Sequence, residues 1–539
     1  MSNAVAAPSR KEWWRRNGAL LLVPVFLFVA LIAWAASSPI GSSPDEDFHL
    51  NSVWCGLGER PGLCEAGPTP NERDTPFVLS HIACYSGQLT QTGACQWLWD
   101  RTMTPTSRLN VTGIYPPLFY AAMSVFADTD HIVRSVLLMR LVNVLLFLGL
   151  GAALYALLPP PRRFTMVMSW VVTIVPLTAF LIAAVNPSSW AIAGCGTAWL
   201  AALGFFESTG RRRVGLAIVT LIATIMAAGS RGDAAIYCVI GVGVAVVIGL
   251  TRRGRFWRPR TLWLPIVVLV LGVVGLLSAQ QSRAVIGATR LALGLGSGTG
   301  GASIGSDHVA LASVVTAAAT PGDNGGIGLL FRNAIQLPYL WTGALGSGPL
   351  GWLDTPMPAL VAAVGTFAFG AIVFLGLRHL DWRKTTAIVA LAVLLIVIPL
   401  YELQIAGRLV GNSVQPRYLL PLLIVLAGVA TLPVAGKTLS LTPLQRNVLI
   451  VCIAVSNCAA LYANMARYVH IETAQTFDLN HFIAWWWGAL IPSPMAVWAI
   501  GSLAFAAALA IAVVRTPAVP FAADVAAAEE PRQEAHLTR

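Results

Sequence analysis

Stretches of roughly 17 to 25 mostly apolar residues recur along the whole chain, and they constrain its fold more than any other feature. As a helix, each stretch is long enough to cross about 30 Å of hydrocarbon. Apolar residues make up 56% of the 539 residues and charged residues only 11%, a balance that excludes an ordinary soluble domain. Because a helix satisfies its own backbone polar groups, these stretches predict a bundle of membrane-spanning helices.

The sequence predicts an all-α integral membrane protein of about 12 transmembrane helices, with a range of about 11 to 13. The first predicted span follows basic residues, as an export signal does, but its length favours a retained helix. The predicted spans lie at 18–38, 133–157, 164–185, 188–206, 214–229, 235–250, 262–279, 357–377, 385–401, 417–435, 447–466 and 495–514. Helices 2–7 thus occupy 132–279, and helices 8–12 occupy 357–514.

The basic residues of the connections predict how the bundle is oriented. Loops rich in Lys and Arg stay on the cytoplasmic side of a membrane. Every second connection is basic, as at 162–163 and 211–213, and the alternate connections carry most of the acids. The net charge of +11 therefore indicates loops beside a bilayer and no nucleic-acid partner. We expect a multi-pass protein of a bacterial inner (plasma) membrane, with segment 1–17 and a disordered tail 515–539 both cytoplasmic.

Two outer connections, 39–131 and 280–356, are long enough to form folded caps. The second is rich in glycine and predicts a surface loop. Four of the eight cysteines lie in the first: Cys55, Cys64, Cys84 and Cys95. Such clustering suits an oxidising compartment, and the simplest of the three pairings joins Cys55 to Cys64 and Cys84 to Cys95. Four free thiols are the alternative, whereas the spacing does not suit a compact pair of zinc ligands.

A dense group of ionisable residues follows the first span, in the segment 43–49 (Ser-Pro-Asp-Glu-Asp-Phe-His). It places the carboxyl groups of Asp45, Glu46 and Asp47 and the imidazole of His49 at the predicted outer membrane surface. Ionisable groups at a membrane boundary cost desolvation energy unless they are paired, solvated or used. The cluster therefore predicts a functional site, and the alternative is the wet start of an outer loop.

Four short motifs, taken together, resemble the DUF2142 family of bacterial membrane proteins. The resemblance covers roughly residues 20–435, and Pro416 stands where the family usually has glycine. The motifs are Pro44-Asp45-Glu46-x-x-His49, Tyr115-Pro116-Pro117, Leu138-Met139-Arg140-Leu141 and Gln415-Pro416-Arg417-Tyr418. The family is similar in layout to the GT-C glycosyltransferases. That similarity implies transfer of a sugar, a hexose or a pentose, from a polyprenyl-phosphate carrier to a glycan or glycolipid acceptor, in cell-envelope glycan synthesis.

The resemblance also implies roles for individual residues. Asp45 or Glu46 would be the catalytic base of an inverting transfer, and a guanidinium would bind the carrier phosphate. For that guanidinium we expect Arg417 first, with Arg231 and Arg140 as second choices. The other predicted substrate-binding residues are His49, Asp47, Tyr115 and Tyr418.

Several alternatives to these roles stay open at this stage. An ion pair with Asp233 is the alternative for Arg231, and a structural acid partner is the alternative for Arg140. No cofactor is required, but His49 with Asp45 and Asp47 could help to hold a divalent cation, Mg²⁺ or Mn²⁺. Rival functions are a transporter or flippase, a polysaccharide polymerase or ligase, and a non-catalytic scaffold. Acids cluster at predicted outer ends and are almost absent from the spans, which favours surface chemistry over a transport route.

Overall fold

The structure, a computed structural model, describes residues 18–96, 98–249, 259–279, 326–470, 476–481 and 485–519. Its α-helices are α1 (Leu22–Ala36), α2 (Glu46–Trp54), α3 (Phe77–His81), α4 (Leu118–Ser124), α5 (Ile132–Leu157), α6 (Pro160–Val171), α7 (Pro176–Ile182), α8 (Ser188–Glu207), α9 (Gly210–Ala228), α10 (Gly232–Gly249), α11 (Pro259–Ser278), α12 (Ile327–Thr342), α13 (Ala359–Gly376), α14 (Trp382–Ala406), α15 (Leu420–Ala430), α16 (Pro443–Val469) and α17 (Pro494–Arg515). Its strands are β1 (Glu65–Ala66), β2 (Arg73–Pro76) and β3 (Met103–Thr106).

Local signals in the sequence set several of the helix ends. Helices α6, α7, α16 and α17 each carry proline in the first turn, where its missing N–H costs nothing. Thr442 and Gln445 form a reciprocal capping box at the start of α16. Asp381 caps α14 by accepting a hydrogen bond from the backbone of Lys384, and Gly407 ends that helix in the left-handed conformation.

The predicted class of all-α integral membrane protein is confirmed. Among the described residues, nine helices are long and apolar enough to cross a membrane. Each coincides with a predicted span, and they are α1 with the turn before it, α5, α8, α10, α11, α13, α14, α16 and α17.

Three predicted spans are not among these nine helices; if a bent pair of helices counts as one span, the described residues contain up to ten, against about 12 predicted. The span 164–185 is a pair of helices, α6 and α7, that bend by 96° at a break. The span 214–229 is α9, which has three arginines in its first turn. The span 417–435 contains α15, whose 11 residues are all buried and reach only roughly 16 Å. Runs of apolar residues here line the protein interior as well as the lipid.

Helix α8 forms the centre of the bundle, with nearly every residue buried. Small residues let its neighbours approach closely, as in many membrane bundles. A side chain at Gly194 would overlap the backbone of Ala223 on α9, and Gly241 of α10 lies against Trp199 of α8. The inner helices are therefore fixed by backbone-to-backbone packing.

The first outer loop, 39–131, folds as a cap. It contains α2, α3, α4 and an antiparallel sheet in the order β1-β2-β3, a small exception to the helical fold. Disulfides join Cys55 to Cys64 and Cys84 to Cys95, the sequence-adjacent pairing. Arg467 of α16 docks the cap on the bundle, because its guanidinium donates to the carbonyl of Tyr85 at 2.8 Å and to Asp354 at 3.0 Å.

The second outer loop, predicted to be a Gly-rich surface segment over 280–356, is helical in its described part. Residues 280–325 lie outside the described residues, as do 1–17 and 520–539. Helix α12 occupies 327–342, and the Asn333 side chain fixes it by bonding to the backbone of Arg408 and Val410, at 3.0 Å each. Helix α12 is not glycine-rich, and its apolar face packs against α14, so this part of the predicted outer loop is an ordered helix.

We expect Gly365→Ala in α13 to destabilise the fold and Gly370→Ala in the same helix to leave it intact. A methyl group at Gly365 would overlap the carbonyl oxygen of Leu345, whereas one at Gly370 meets no atom within 4 Å. Overpacking of this kind typically costs about 1–3 kcal/mol. Thermal unfolding midpoints in detergent, read by intrinsic fluorescence, measure the difference. Equal midpoints for the two variants would contradict the close contact.

Candidate active site

Asp45 lies where the chain turns from α1 into α2, and its backbone is left-handed, with φ of 59°. Aspartate adopts this conformation more readily than most residues, but it still costs roughly 1–3 kcal/mol and persists only where its surroundings fix it. Strained residues of this kind cluster at functional sites. The Asp45 side chain is 44% exposed, so its carboxylate is accessible from outside the fold.

The adjacent acid, Glu46, is completely buried. One carboxylate oxygen accepts a hydrogen bond from the backbone of Ser43 at 2.8 Å, and the other accepts one from Val185 at 3.2 Å. The Arg140 guanidinium lies 3.6 Å from the second oxygen. With both oxygens occupied inside the protein, Glu46 is placed to hold structure, and its predicted role as a base does not suit this position.

Arg140 of α5 is likewise enclosed, with 1% of its surface exposed. Its guanidinium donates to the carbonyl oxygens of Ala35, Ser38 and Pro39, at 2.6, 2.9 and 2.8 Å. These three carbonyls lie in the last turn of α1 and just after it, where a helix leaves its acceptors unsatisfied. Arg140 therefore holds the chain that leads to Asp45, and the predicted contact with substrate does not suit it.

Arg108, which sequence reasoning missed, joins two of the predicted acids. It follows β3 by two residues, so the sheet of the cap positions it. Its guanidinium donates to both oxygens of Asp47, with one of the bonds very short, and to Asp45 at 3.3 Å. Arg108 therefore neutralises Asp47, and it interacts more weakly with Asp45.

Arg417, which lies far from Asp45 in the sequence, contacts it in the structure. Pro416 begins a 3-10 turn, Pro416–Tyr418, at a position where a proline is tolerated, and α15 follows at once. The Arg417 guanidinium lies 3.4 Å from the Asp45 carboxylate and 3.3 Å from the Tyr418 hydroxyl. Its Nε is buried and has no hydrogen-bond partner among the residues that the structure describes. The structure thus brings together a carboxylate and a guanidinium that are 372 residues apart.

The positive charges near Asp45 keep its carboxyl group ionised. Burial raises the pKa of its carboxyl group, but the nearby positive charges of Arg417 and Arg108 outweigh burial and hold the pKa below its usual 3.8. Asp45 is therefore an ionised carboxylate at neutral pH.

His49 lies one turn further along α2 and is buried against aromatic residues. Its Nδ1 is 2.9 Å from the Tyr120 hydroxyl. Burial lowers the pKa of His49 to about 3, so the imidazole is neutral at physiological pH.

A cation bound by Asp45, Asp47 and His49 does not fit this geometry. The Asp47 oxygens are taken by Arg108, and the His49 ring bonds to Tyr120. In the described part of the chain, no three His, Cys, Asp or Glu side chains gather in a way that could hold a metal ion.

Arg231 lies at the edge of this cluster and pairs with Asp233. The two side chains make two hydrogen bonds, of 2.9 and 2.8 Å, so the ion pair considered as its alternative role is present. Its guanidinium carbon is 4.1 Å from the centre of the Tyr418 ring and 5.8 Å from that of Tyr115. Tyr418 therefore contacts two guanidinium groups, since Arg417 also lies 5.1 Å from its ring.

Of the predicted residues, the structure brings Asp45, Asp47, His49, Tyr115, Arg231, Arg417 and Tyr418 into one connected group. Glu46 and Arg140 lie beneath it. The group also includes Arg108 and Tyr120. In the sequence, Arg108 is a basic residue in an outer loop rich in acids. That position does not indicate which acid it pairs with.

A family model described as "Predicted membrane protein (DUF2142)" matches residues 26–426, more than half of the chain. The chain belongs to this family. Within this DUF2142 protein, the match includes every residue of the connected group. Searches among curated proteins and among solved structures gave no match.

We expect replacement of Glu46 to unfold this DUF2142 protein and replacement of Asp45 to spare its fold. Glu46→Leu leaves Arg140 as a buried charge without its acid, a loss that typically costs about 3–5 kcal/mol. Asp45→Asn removes only a half-exposed carboxylate, and asparagine also tolerates the left-handed backbone. Thermal midpoints in detergent compare the two. A larger loss for Asp45→Asn would reverse our assignment of structural and functional acids.

Proposed function

We propose that this protein is an inverting glycosyltransferase that uses a polyprenyl-phosphate-linked sugar as donor and acts on the extracytoplasmic face of the membrane. One observation carries the proposal: the half-exposed carboxylate of Asp45 lies beside the guanidinium of Arg417, between the helical bundle and its cap. A base and a phosphate-binding group are the two parts that sugar transfer from a lipid phosphate requires.

The direction of the helices supports an extracytoplasmic site. Helix α5 begins at the cap and ends near the basic residues 162–163. Helix α9 begins at the basic residues 211–213 and ends beside Arg231. The connected group therefore lies at the end of the bundle opposite these basic loops, which by their charge belong in the cytoplasm. A lipid-linked donor keeps its phosphate at the membrane interface, where this end of the bundle would meet it.

In the proposed reaction, Asp45 is the general base. The acceptor hydroxyl oxygen attacks the anomeric carbon of the sugar while its proton passes to the Asp45 carboxylate. The bond between that carbon and the phosphate oxygen breaks, and its electron pair leaves with polyprenyl phosphate. Attack opposite the leaving group inverts the anomeric configuration. The exposure of Asp45 and Arg108, 44% and 41% of their side chains, leaves room for a glycan or glycolipid acceptor.

Arg417 would bind the phosphate of the donor and stabilise the charge that develops on it. The terminal nitrogen that now contacts Asp45 faces the half-exposed carboxylate, and it would donate to a phosphate oxygen in place of that contact. The contact with Tyr418 holds the guanidinium in place. Since the Asp45 contact is long, at 3.4 Å, a phosphate can replace it. Asp45 would then lose part of its neutralisation and become a stronger base once the donor has bound.

The alternative functions predict different roles for Asp45. A polysaccharide polymerase or ligase would share the lipid carrier but use later outer loops. A transporter or flippase would move a lipid or sugar without breaking the bond to phosphate. Release of polyprenyl phosphate that depends on Asp45 therefore separates the proposed function from both.

We expect Asp45→Asn to lower transfer by about 10² to 10⁴, the usual contribution of a positioned general base. The assay supplies proteoliposomes with a panel of radiolabelled polyprenyl-phosphate hexoses and pentoses and a glycan or glycolipid acceptor, and it measures label on the acceptor together with release of polyprenyl phosphate. Asp130→Asn is the matched control, because Asp130 is an exposed acid of the same cap whose carboxylate pairs with Arg101. Full transfer by Asp45→Asn would refute the mechanism.

We expect Arg108→Gln to move the acid limb of the pH–rate profile to higher pH. A base acts only when deprotonated, so activity falls as pH drops through its pKa. The Arg108 charge helps to hold the pKa of Asp45 low, and its removal raises that pKa. Profiles of kcat/KM against pH measure the shift, with Arg101→Gln, an exposed arginine of the cap, as control. An acid limb that stays in place or moves to lower pH would contradict this account.

A further inference from the structure

A groove of about 430 Å³ lies between α1, α5, α6 and α17, at the end of the bundle that carries the basic loops. Its volume is within the range of roughly 300–1,000 Å³ that is usual for ligand sites. Its walls are almost entirely apolar, and Leu27, Phe147, Trp170 and Leu509 are typical of them. None of its lining residues belongs to the group around Asp45.

One fixed cation lies at the rim of this groove. The Arg163 guanidinium is 5.0 Å from the ring of Tyr155 and donates long hydrogen bonds, of 3.3 and 3.4 Å, to the carbonyls of Leu158 and Ala156. The Tyr155 hydroxyl is 3.2 Å from the Thr516 hydroxyl, which closes that side of the groove.

The two adjacent arginines at the start of α6 differ in their partners. Arg162 pairs with Glu207 through two hydrogen bonds, whereas no ion pair joins Arg163 to an acid of the described residues. Exposed Arg515 at the end of α17 adds a second positive charge directly before the lining residue Thr516.

We propose that this groove binds one anionic phospholipid, with an acyl chain between the helices and the phosphate at Arg163. An apolar groove in a membrane protein gains most from a hydrocarbon chain, and a guanidinium at its rim that has no acid partner among the described residues selects a headgroup with net negative charge. Basic loops are predicted to face the cytoplasmic leaflet, where anionic lipids accumulate.

A donor molecule bound at Arg417 cannot also place its phosphate in this groove. Helix α5 runs from the cap to the groove rim over 26 residues, roughly 39 Å. A phosphate bound by Arg417 therefore cannot also reach Arg163. The inference does not rest on the proposed function.

The test is native mass spectrometry of the full chain with phosphatidylglycerol or with phosphatidylcholine of the same acyl chains. We expect one phosphatidylglycerol molecule to bind at least about tenfold more tightly, as a charge-assisted hydrogen bond allows. Arg163→Gln should remove that preference. Arg212→Gln, an exposed arginine at the same end that does not line the groove, should keep it.

A second experiment fills the groove with a larger side chain. Gly151 lines the groove, and a side chain there first meets Met166 at 3.9 Å, so Gly151→Leu should fit and expel the lipid. Gly149→Leu on the same helix projects into open space and should retain it.

Three results would overturn the proposal. The first is equal binding of the two phospholipids by the wild-type chain. The second is equal retention of phosphatidylglycerol by both leucine variants. The third is displacement of phosphatidylglycerol by equimolar polyprenyl phosphate, which would assign the groove to the lipid carrier. If Gly151→Leu fails to fold, the comparison of Arg163→Gln with Arg212→Gln decides alone.

Discussion

The buried contact between Glu46 and Arg140 is the interaction on which the outer end of this structure depends. It joins three segments that are distant in the chain: the residues after α1, the middle of α5, and the turn between α7 and α8. Arg140 gathers the free carbonyls after α1, and Glu46 accepts from the backbone around it. Burying either charge alone in a low-dielectric interior would cost free energy. Glu46 and Arg140 are therefore stable in the interior only as a pair.

The contact between Glu46 and Arg140 explains why Asp45 and Glu46, which are adjacent in sequence, have different positions. With Glu46 held inside, the backbone before it turns left-handed, and Asp45 is directed to the surface between the bundle and the cap. The charges around Asp45 are then nearly balanced: Arg108 pairs mainly with Asp47, and Arg417 makes a single long contact with Asp45. This balance leaves no isolated charge exposed at the membrane interface, and under the proposed function the donor phosphate would compete with Asp45 for Arg417.

The two ends of the bundle present different chemistry. The capped end carries paired carboxylates and guanidinium groups; two disulfides cross-link the cap internally, and Arg467 holds it on the bundle. The opposite end carries basic loops and an apolar groove bordered by Arg163. Between them, helix packing is so close at glycines such as Gly194 and Gly365 that there is little freedom for the helices to slide.

The sequence by itself determined the membrane class, nine of the spans and the polar character of the segment 45–49, because hydrocarbon solvent imposes long apolar runs on any chain that crosses it. It could not separate a lipid-facing run from a protein-buried one, and so α15 was predicted to span. Only the tertiary structure decided that Arg417 and Arg108 meet Asp45 while Arg140 takes Glu46. Those partners are distant in sequence, and pairing between charges depends on distance in space, which apolar patterning does not encode.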